Sequence, residues 1–305
     1  MLRTNTKNCV EVSVQGSITH PRMQLRNPYI VDSSGHAHIL PGTGGITYNV
    51  TIGDPALEIA GDHVEPCVSI AADKDQDKLA VGGLGILSCI GNDARVIGGP
   101  ADGAKGVVTG KHGGVEHVLI DFPSTVLDKL AIGDRVLIKA VGQGLTLKNY
   151  PDVHVMNIDP GLLQKMAGIH GTKQLMVTVT HVIPASIMGS GIGSRHSYSG
   201  DYDIQISDND VVQKYGLQNL RLGDVIAISD ADCRFGRSMR LGAMSIGVVV
   251  HASCLTSGHG PGVTVVMTTA KKMIVPKIDR NANISHYLGI GRGRRRTSPR
   301  RRRGR

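Results

Sequence analysis

ARVIGGPADGAKGVVTGKHGGVEHVLIDF, residues 94–122, decides the fold class. Two β-branched runs, ARVIG and GVVTG, flank a turn of glycine, proline and aspartate; a third, EHVLIDF, follows a second glycine turn at KHGG. Short apolar runs bounded by such turns read as strands joined by tight connections. The same signal recurs outward in both directions, at VEVSV (10–14), ITYNVTI (46–52), DRVLIKA (134–140), LMVTVTHVI (175–183), DVIAIS (224–229), MSIGVVVHA (244–252) and GVTVVMTT (262–269). Forty glycines, two phenylalanines and no tryptophan fit many short elements whose cores are built from Val, Ile, Leu and Ala. Helical patterns are few: 124–130, 159–168 with Asp159 as N-cap and Pro160 at the first helical position, and 208–216 ended by Gly216.

The expected fold is therefore mainly β, a set of small barrels with a few short helices. Residues 94–122 resemble the strand-and-turn pattern of KOW-type SH3-like barrels, modules that often bind RNA or ribosomal partners. LAIGDRVLI (130–138) and LRLGDVIAI (220–228) share an apolar anchor, a Gly-Asp turn and a following strand, as two related barrel modules would. The expected divisions are an N-terminal β-rich region (1–90), an SH3-like barrel (91–155), a C-terminal β-rich domain (156–290) and a disordered arginine-rich tail (291–305).

Charge sharpens this division. The chain of 305 residues carries a formal net charge of +9, yet residues 292–305 alone hold nine arginines and no acid. Removing those nine from the 34 Lys+Arg leaves 25, equal to the 25 Asp+Glu, so the body is neutral and the tail carries the polyanion signal. Arg294, Arg295, Arg296, Arg300, Arg301, Arg302 and Arg303 are the expected nucleic-acid contacts. No apolar run of membrane-spanning length occurs and the N-terminus lacks the apolar region of a secretory signal, so a cytoplasmic protein with no membrane partner is expected. Five widely spaced cysteines without a C-x-x-C pair read as free thiols.

Longer motifs then resemble one family as a whole. LPGTGGITYNVTIGD (40–54), AGDHVEPCVSI (60–70), GAKGVVTGKHGGVEHVLIDF (103–122), YPDVHVMNIDPGLL (150–163), IMGSGIG (187–193), YSGDYDIQ (198–205) and SIGVVVHASC with GHGPGV (245–263) are similar to the DUF4438 proteins of bacteria and archaea. The resemblance spans about residues 8–285 and implies a β-rich multi-domain body with no activity attached. Two features depart from it: Cys67 stands where a small residue such as glycine is expected, and the arginine tail is outside the shared body.

Candidate chemistry concentrates at glycine turns. In GDHVEP (61–66), extended backbone would put His63 and Glu65 on one face, as a metal-binding or oriented acid/base pair. His112 lies between glycine-flanked positions that let backbone approach a ligand. In SGDYD, Asp201 and Asp203 form a D-x-D pair able to reach one divalent cation, although Asp201 also reads as a turn residue. A second D-x-D, Asp230 and Asp232, is followed by Arg234, Arg237 and Arg240, and the strand IGVVVH delivers His251 ahead of His259 in GHGPGV. The expected roles are catalytic for His63, Glu65 and His251, substrate-binding for Arg234, Arg237 and His112, and metal-ligating for Asp203, Asp230, Asp232 and His259. This composition suits a divalent metal of unspecified identity. The leading expectation is a metal-assisted hydrolase or lyase acting on a small anionic or amide-like molecule. The alternatives are a nucleic-acid-binding protein using barrel and tail, and an oligomeric structural protein; a homo-oligomer is expected in any case.

Overall fold

The computed structural model describes residues 2–22, 29–73, 78–170 and 174–294. Its first half carries β1 (Val12–Ile18), β2 (Ile30–Val31), β3 (Ala37–His38), β4 (Ile46–Thr47), β5 (Cys67–Ala71), β6 (Asp93–Ile97), β7 (Lys105–His112), β8 (His117–Asp121) and β9 (Arg135–Ala140). Strands pair in the order β1-β9-β6-β7-β8-β5, and β5 returns to β1 through Ser17↔Ala71 and Ile18↔Ile70, closing a six-stranded barrel. β4 extends the sheet beside β5. The KOW-like pattern maps onto β6, β7 and β8, but the barrel draws strands from both sides of the boundary expected at residue 91.

The second half carries β10 (His154–Val155), β11 (Ala167–His170), β12 (Gln174–Val179), β13 (His181–Pro184), β14 (Tyr202–Asp203), β15 (Val225–Asp232), β16 (Ser238–His251), β17 (Gly262–Thr269) and β18 (Ile274–Ile278). Its main sheet runs β10-β17-β16-β15-β13, with β14 also pairing β17, and β11-β12-β18 form a separate three-stranded sheet. Both halves are mainly β, with five short α-helices among the described residues.

Local chemistry explains the boundaries. Asp159 caps the helix Pro160–Met166 by accepting from Gly161 N at 2.7 Å and Leu162 N at 3.2 Å, and Gly216 ends Asn209–Tyr215 in the left-handed region at φ 69°. The repeated Gly-Asp motif forms one turn twice over. Asp134 Oδ2 accepts from Ala131 N, and Asp224 Oδ2 from Arg221 N, each at 2.9 Å, with Gly133 and Gly223 at positive φ.

The two halves meet along β7. Residues 108–112 are all buried, because one face fills the barrel and the other packs on the second sheet. A Cβ on Gly110 would stand 2.4 Å from Val250 Cγ1, so this close approach requires glycine. Thr264 and Lys111 exchange hydrogen bonds at 3.3 and 3.0 Å across the same seam. Among the described residues no helix is long and apolar enough to cross a membrane.

Candidate functional site

The seam ends in a cleft of about 580 Å³ lined by Arg22, His63, His112, Asp201, Asp203, Arg237 and His259, with Ser190, Gly191 and Ser194 of the glycine-rich loop on one wall. Several segments converge on it, and Gly262 explains how two of them meet. β14 places Asp203 opposite Gly262 on one side of β17, and β16 places His251 opposite Gly262 on the other. With no side chain between them, the flanking side chains close over that residue. Asp201 Oδ2 and His251 Nε2 stand 2.7 Å apart, and a Cβ on Gly262 would fall 1.9 and 2.1 Å from these two atoms.

The barrel supplies His112 from the end of β7. Its Nδ1–H donates to Glu65 Oε1 at 2.5 Å, which leaves Nε2 as the free ring nitrogen. His251 Nδ1–H donates to the Ala252 carbonyl at 2.8 Å and so presents Nε2 in the same way. His112, Asp201 and His251 each bring a ligand atom within 4.8 Å of the others. Asp201 Oδ2 and His251 Nε2 are both buried and have no other side-chain or backbone partner among the described residues. Asp201 is itself held by Gly113 N–H, which donates to Oδ1 at 2.7 Å.

His63 comes from the loop at residues 60–66, which docks on the second half through His63 N–H to Ser253 O at 3.1 Å. Its φ of 50° breaks the extended geometry, so the alternation expected for GDHVEP does not hold: His63 faces the cleft while Glu65 lies beneath His112. Asp62 Oδ1 holds His63 Nδ1 at 3.0 Å, and His63 Nε2 faces His259 Nδ1 at 3.3 Å and Asp203 Oδ2 at 3.7 Å. The rings of His63, His112 and His251 pack with centroids 4.2–5.6 Å apart.

Charge is concentrated here. Burial disfavours a charged imidazole, but hydrogen bonds to Asp203 and Asp62 outweigh it and push His63 up to about 12. His251 is likewise buried, and Asp201 and Asp203 carry it up to about 10. Burial would raise the Asp203 carboxyl, yet His251, His259 and His63 hold it well below the usual carboxylate range. The two carboxylates thus draw positive charge to one point, as protons on imidazole or as a cation.

Glu65 has no exposure and is fully engaged, accepting from His112, from His117 Nδ1 at 3.0 Å, from Gly44 N at 2.7 Å and from the Ser69 hydroxyl. It fixes histidine tautomers and does not face the cleft. Arg237 is buried, donates to Gly191 O at 3.3 Å and Ser199 O at 3.0 Å, and leaves Nε unpartnered. No carboxylate pairs with it among the described residues.

Other expected residues stand apart. Asp230 sits at φ 59° and accepts from Gly242 N at 2.7 Å. Asp232 pairs bidentately with Arg234 at 2.9 and 2.7 Å, with Arg240 at 3.8 Å. None of these four lines the cleft, so their sequence proximity to His251 does not carry them to it. Arg294 is docked on the barrel, donating to Phe122 O at 3.2 Å and pairing with the buried Asp121 carboxylate. Arg295, Arg296, Arg300, Arg301, Arg302 and Arg303 lie outside the described residues. Sequence reasoning left Asp201 between ligand and turn residue, and it omitted Arg22, which lines the cleft, and Cys254, whose Sγ lies within 4.8 Å of a ring nitrogen of His63 and of His259. The D-x-D spacing was the available signal for the first; isolated Cys254 and Arg22 gave none.

The chain belongs to the DUF4438 family. The description "Domain of unknown function (DUF4438), N-terminal" matches residues 29–164, and "Domain of unknown function (DUF4438), C-terminal" matches residues 164–288. Among solved structures, the one titled "Crystal structure of TM1086" is 49% identical, with a TM-score of 0.88 over 94% of this chain and 99% of that one. The curated proteins contain no match.

Proposed function

We propose that the cleft holds a divalent transition metal on His112, Asp201 and His251, and that the protein is a metal-assisted hydrolase or lyase acting on a small anionic substrate. The supporting observation is the convergence of His112, Asp201 and His251, whose buried atoms Asp201 Oδ2 and His251 Nε2 face each other at 2.7 Å with no other partner among the described residues. Two histidines whose Nδ1 protons are anchored elsewhere, joined by one carboxylate, form a donor set suited to Zn²⁺, Fe²⁺, Co²⁺ or Mn²⁺. Such a metal supplies Lewis acidity or an activated water. Arg237 supplies a guanidinium on the cleft wall with no carboxylate partner among the described residues, suited to a carboxylate or phosphate group of the substrate.

The test is elemental analysis of the full chain purified without chelators, beside Asp201→Asn and His251→Ala, followed by hydrolase and lyase screens with small carboxylate and phosphate compounds. Near-stoichiometric metal that both variants lose, and turnover whose KM rises in Arg237→Gln, are expected. A folded protein that takes up no metal when supplied with these cations would overturn the reading.

A further inference from the structure

Three donor atoms on the outer side of the cleft form a second triangle. His63 Nε2, His259 Nδ1 and Asp203 Oδ2 are separated by 3.3, 3.2 and 3.7 Å. Ligand atoms on a tetrahedral metal with bonds of about 2.0–2.2 Å stand about 3.3–3.6 Å apart, so these edges match one face of such a site. Hydrogen bonding accounts for the arrangement less well. One proton can join His259 to Asp203, while His63 Nε2 faces both the other ring nitrogen and the same carboxylate oxygen, so a single point is shared by all three groups.

The surroundings are those of a ligand set. Asp62 holds Nδ1 of His63 from behind at 3.0 Å, a carboxylate–histidine pair that orients Nε2. Cys254 brings Sγ within 4.8 Å of a ring nitrogen of each histidine. The other oxygen of Asp203, Oδ1, faces His251 Nε2 at 3.7 Å. One carboxylate therefore looks toward the first donor set with Oδ1 and toward the second with Oδ2.

We infer that the cleft is a two-metal centre in which Asp203 bridges the His112/Asp201/His251 site to a second site made by His63 and His259, with Cys254 in reach as a further ligand. This rests on the first metal site proposed above. Imidazole and carboxylate with an adjacent thiol suit Zn²⁺ or Co²⁺ at the second position. A shared carboxylate holds two ions at the roughly 3.5–4 Å spacing of two-metal hydrolytic centres.

The experiment uses the full chain, stripped of metal and reloaded with Mn²⁺ or Co²⁺. Bound equivalents are counted after desalting, and magnetic coupling is read by electron paramagnetic resonance on the Mn²⁺ form. Two equivalents with exchange coupling, falling to one uncoupled equivalent in His259→Ala and His63→Ala, are expected. His259 is one-third exposed in a turn, so its variant should keep the fold, and circular dichroism checks this. The wild-type coupling depends on no variant. One equivalent in the wild type, kept by His259→Ala and lost by Asp201→Asn, would overturn the second site and leave the first. Two equivalents without coupling would overturn the bridge, and no bound metal would overturn both readings.

Discussion

Glu65→Gln changes one atom, and its effect on metal binding follows from counting protons. Glu65 Oε2 accepts from Gly44 N–H at 2.7 Å and from the Ser69 hydroxyl, while Oε1 accepts from His112 Nδ1–H at 2.5 Å; His117 Nδ1 lies 3.0 Å from both oxygens. The backbone N–H of Gly44 can only donate, so the glutamine carbonyl is expected on that side. Its NH₂ then faces His112 Nδ1, which must accept and so move its proton to Nε2. That nitrogen is the one left to ligate, and a metal there must displace the proton. Loss of such outer support costs about 10–100-fold in affinity, or about 1.4–2.8 kcal/mol. Competition titration of the full chain against a chromophoric zinc chelator measures this, with circular dichroism melting as a check on folding. Affinity within about twofold of wild type in a folded Glu65→Gln protein would refute His112 as a ligand.

Gly262→Ala should remove metal binding more completely, by at least about 100-fold, since its Cβ would overlap Asp201 Oδ2 and His251 Nε2; wild-type uptake in the same titration would place the metal elsewhere. Cys67 sits at φ 59°, a conformation that costs a residue bearing Cβ about 1–2 kcal/mol. Cys67→Gly relieves this while losing a buried thiol, so it should shift stability by less than about 1 kcal/mol, whereas β-branched Cys67→Val should destabilise by more than about 2 kcal/mol. Urea midpoints compare the two, and a larger loss in the glycine variant would show that side-chain packing governs the position. His181 is pushed below its ordinary value of 6.5 by burial, while its Nε2 bonds Gly216 O at 3.1 Å. The unfolded chain therefore binds the proton at a higher pH than the folded one, and stability should fall as pH drops below about 6.5. Between pH 7.5 and 5.5 the urea midpoint should fall further for wild type than for His181→Gln; equal falls would show that His181 does not carry the dependence.

Much of the fold was legible because its signals are local. The runs at 94–98, 106–110, 116–122 and 262–269 coincide with strands, and two of the three expected helices have the caps their sequences offered, while the third is a single turn, Ser124–Leu127, with no side-chain cap. Barrel closure was not legible, since the pairing of Ile18 with Ile70 leaves no trace near either residue. ITYNVTI reads as a seven-residue strand, yet only Ile46–Thr47 pair. The helix Lys78–Leu87 contains Gly82, Gly83 and Gly85, each of low helix propensity, so packing must override its sequence.

The two D-x-D pairs show what spacing alone can carry toward a site. Asp201/Asp203 and Asp230/Asp232 are identical in spacing, and each lies near a strand that residue alternation would place on one face. Their fates differ because of what lies across the sheet. β14 borders β17 at Gly262, a bare position that His251 reaches from the other side, so its carboxylates meet imidazole. The second pair falls where the register between β15 and β16 shifts, between Ser229 and Ala231. That irregularity puts Asp230 in a left-handed conformation with its carboxylate on Gly242 N, and Asp232 turns to Arg234. The polar density of residues 228–262 therefore has two origins: ion pairs that secure a hairpin, and a strand end that delivers His251. Arg237 belongs to the hairpin by sequence and to the cleft by position, since the carbonyls of Gly191 and Ser199, which also line the cleft, accept hydrogen bonds from it. The partner across the sheet, more than the residue type, decides which of these charged groups is left to bind something else.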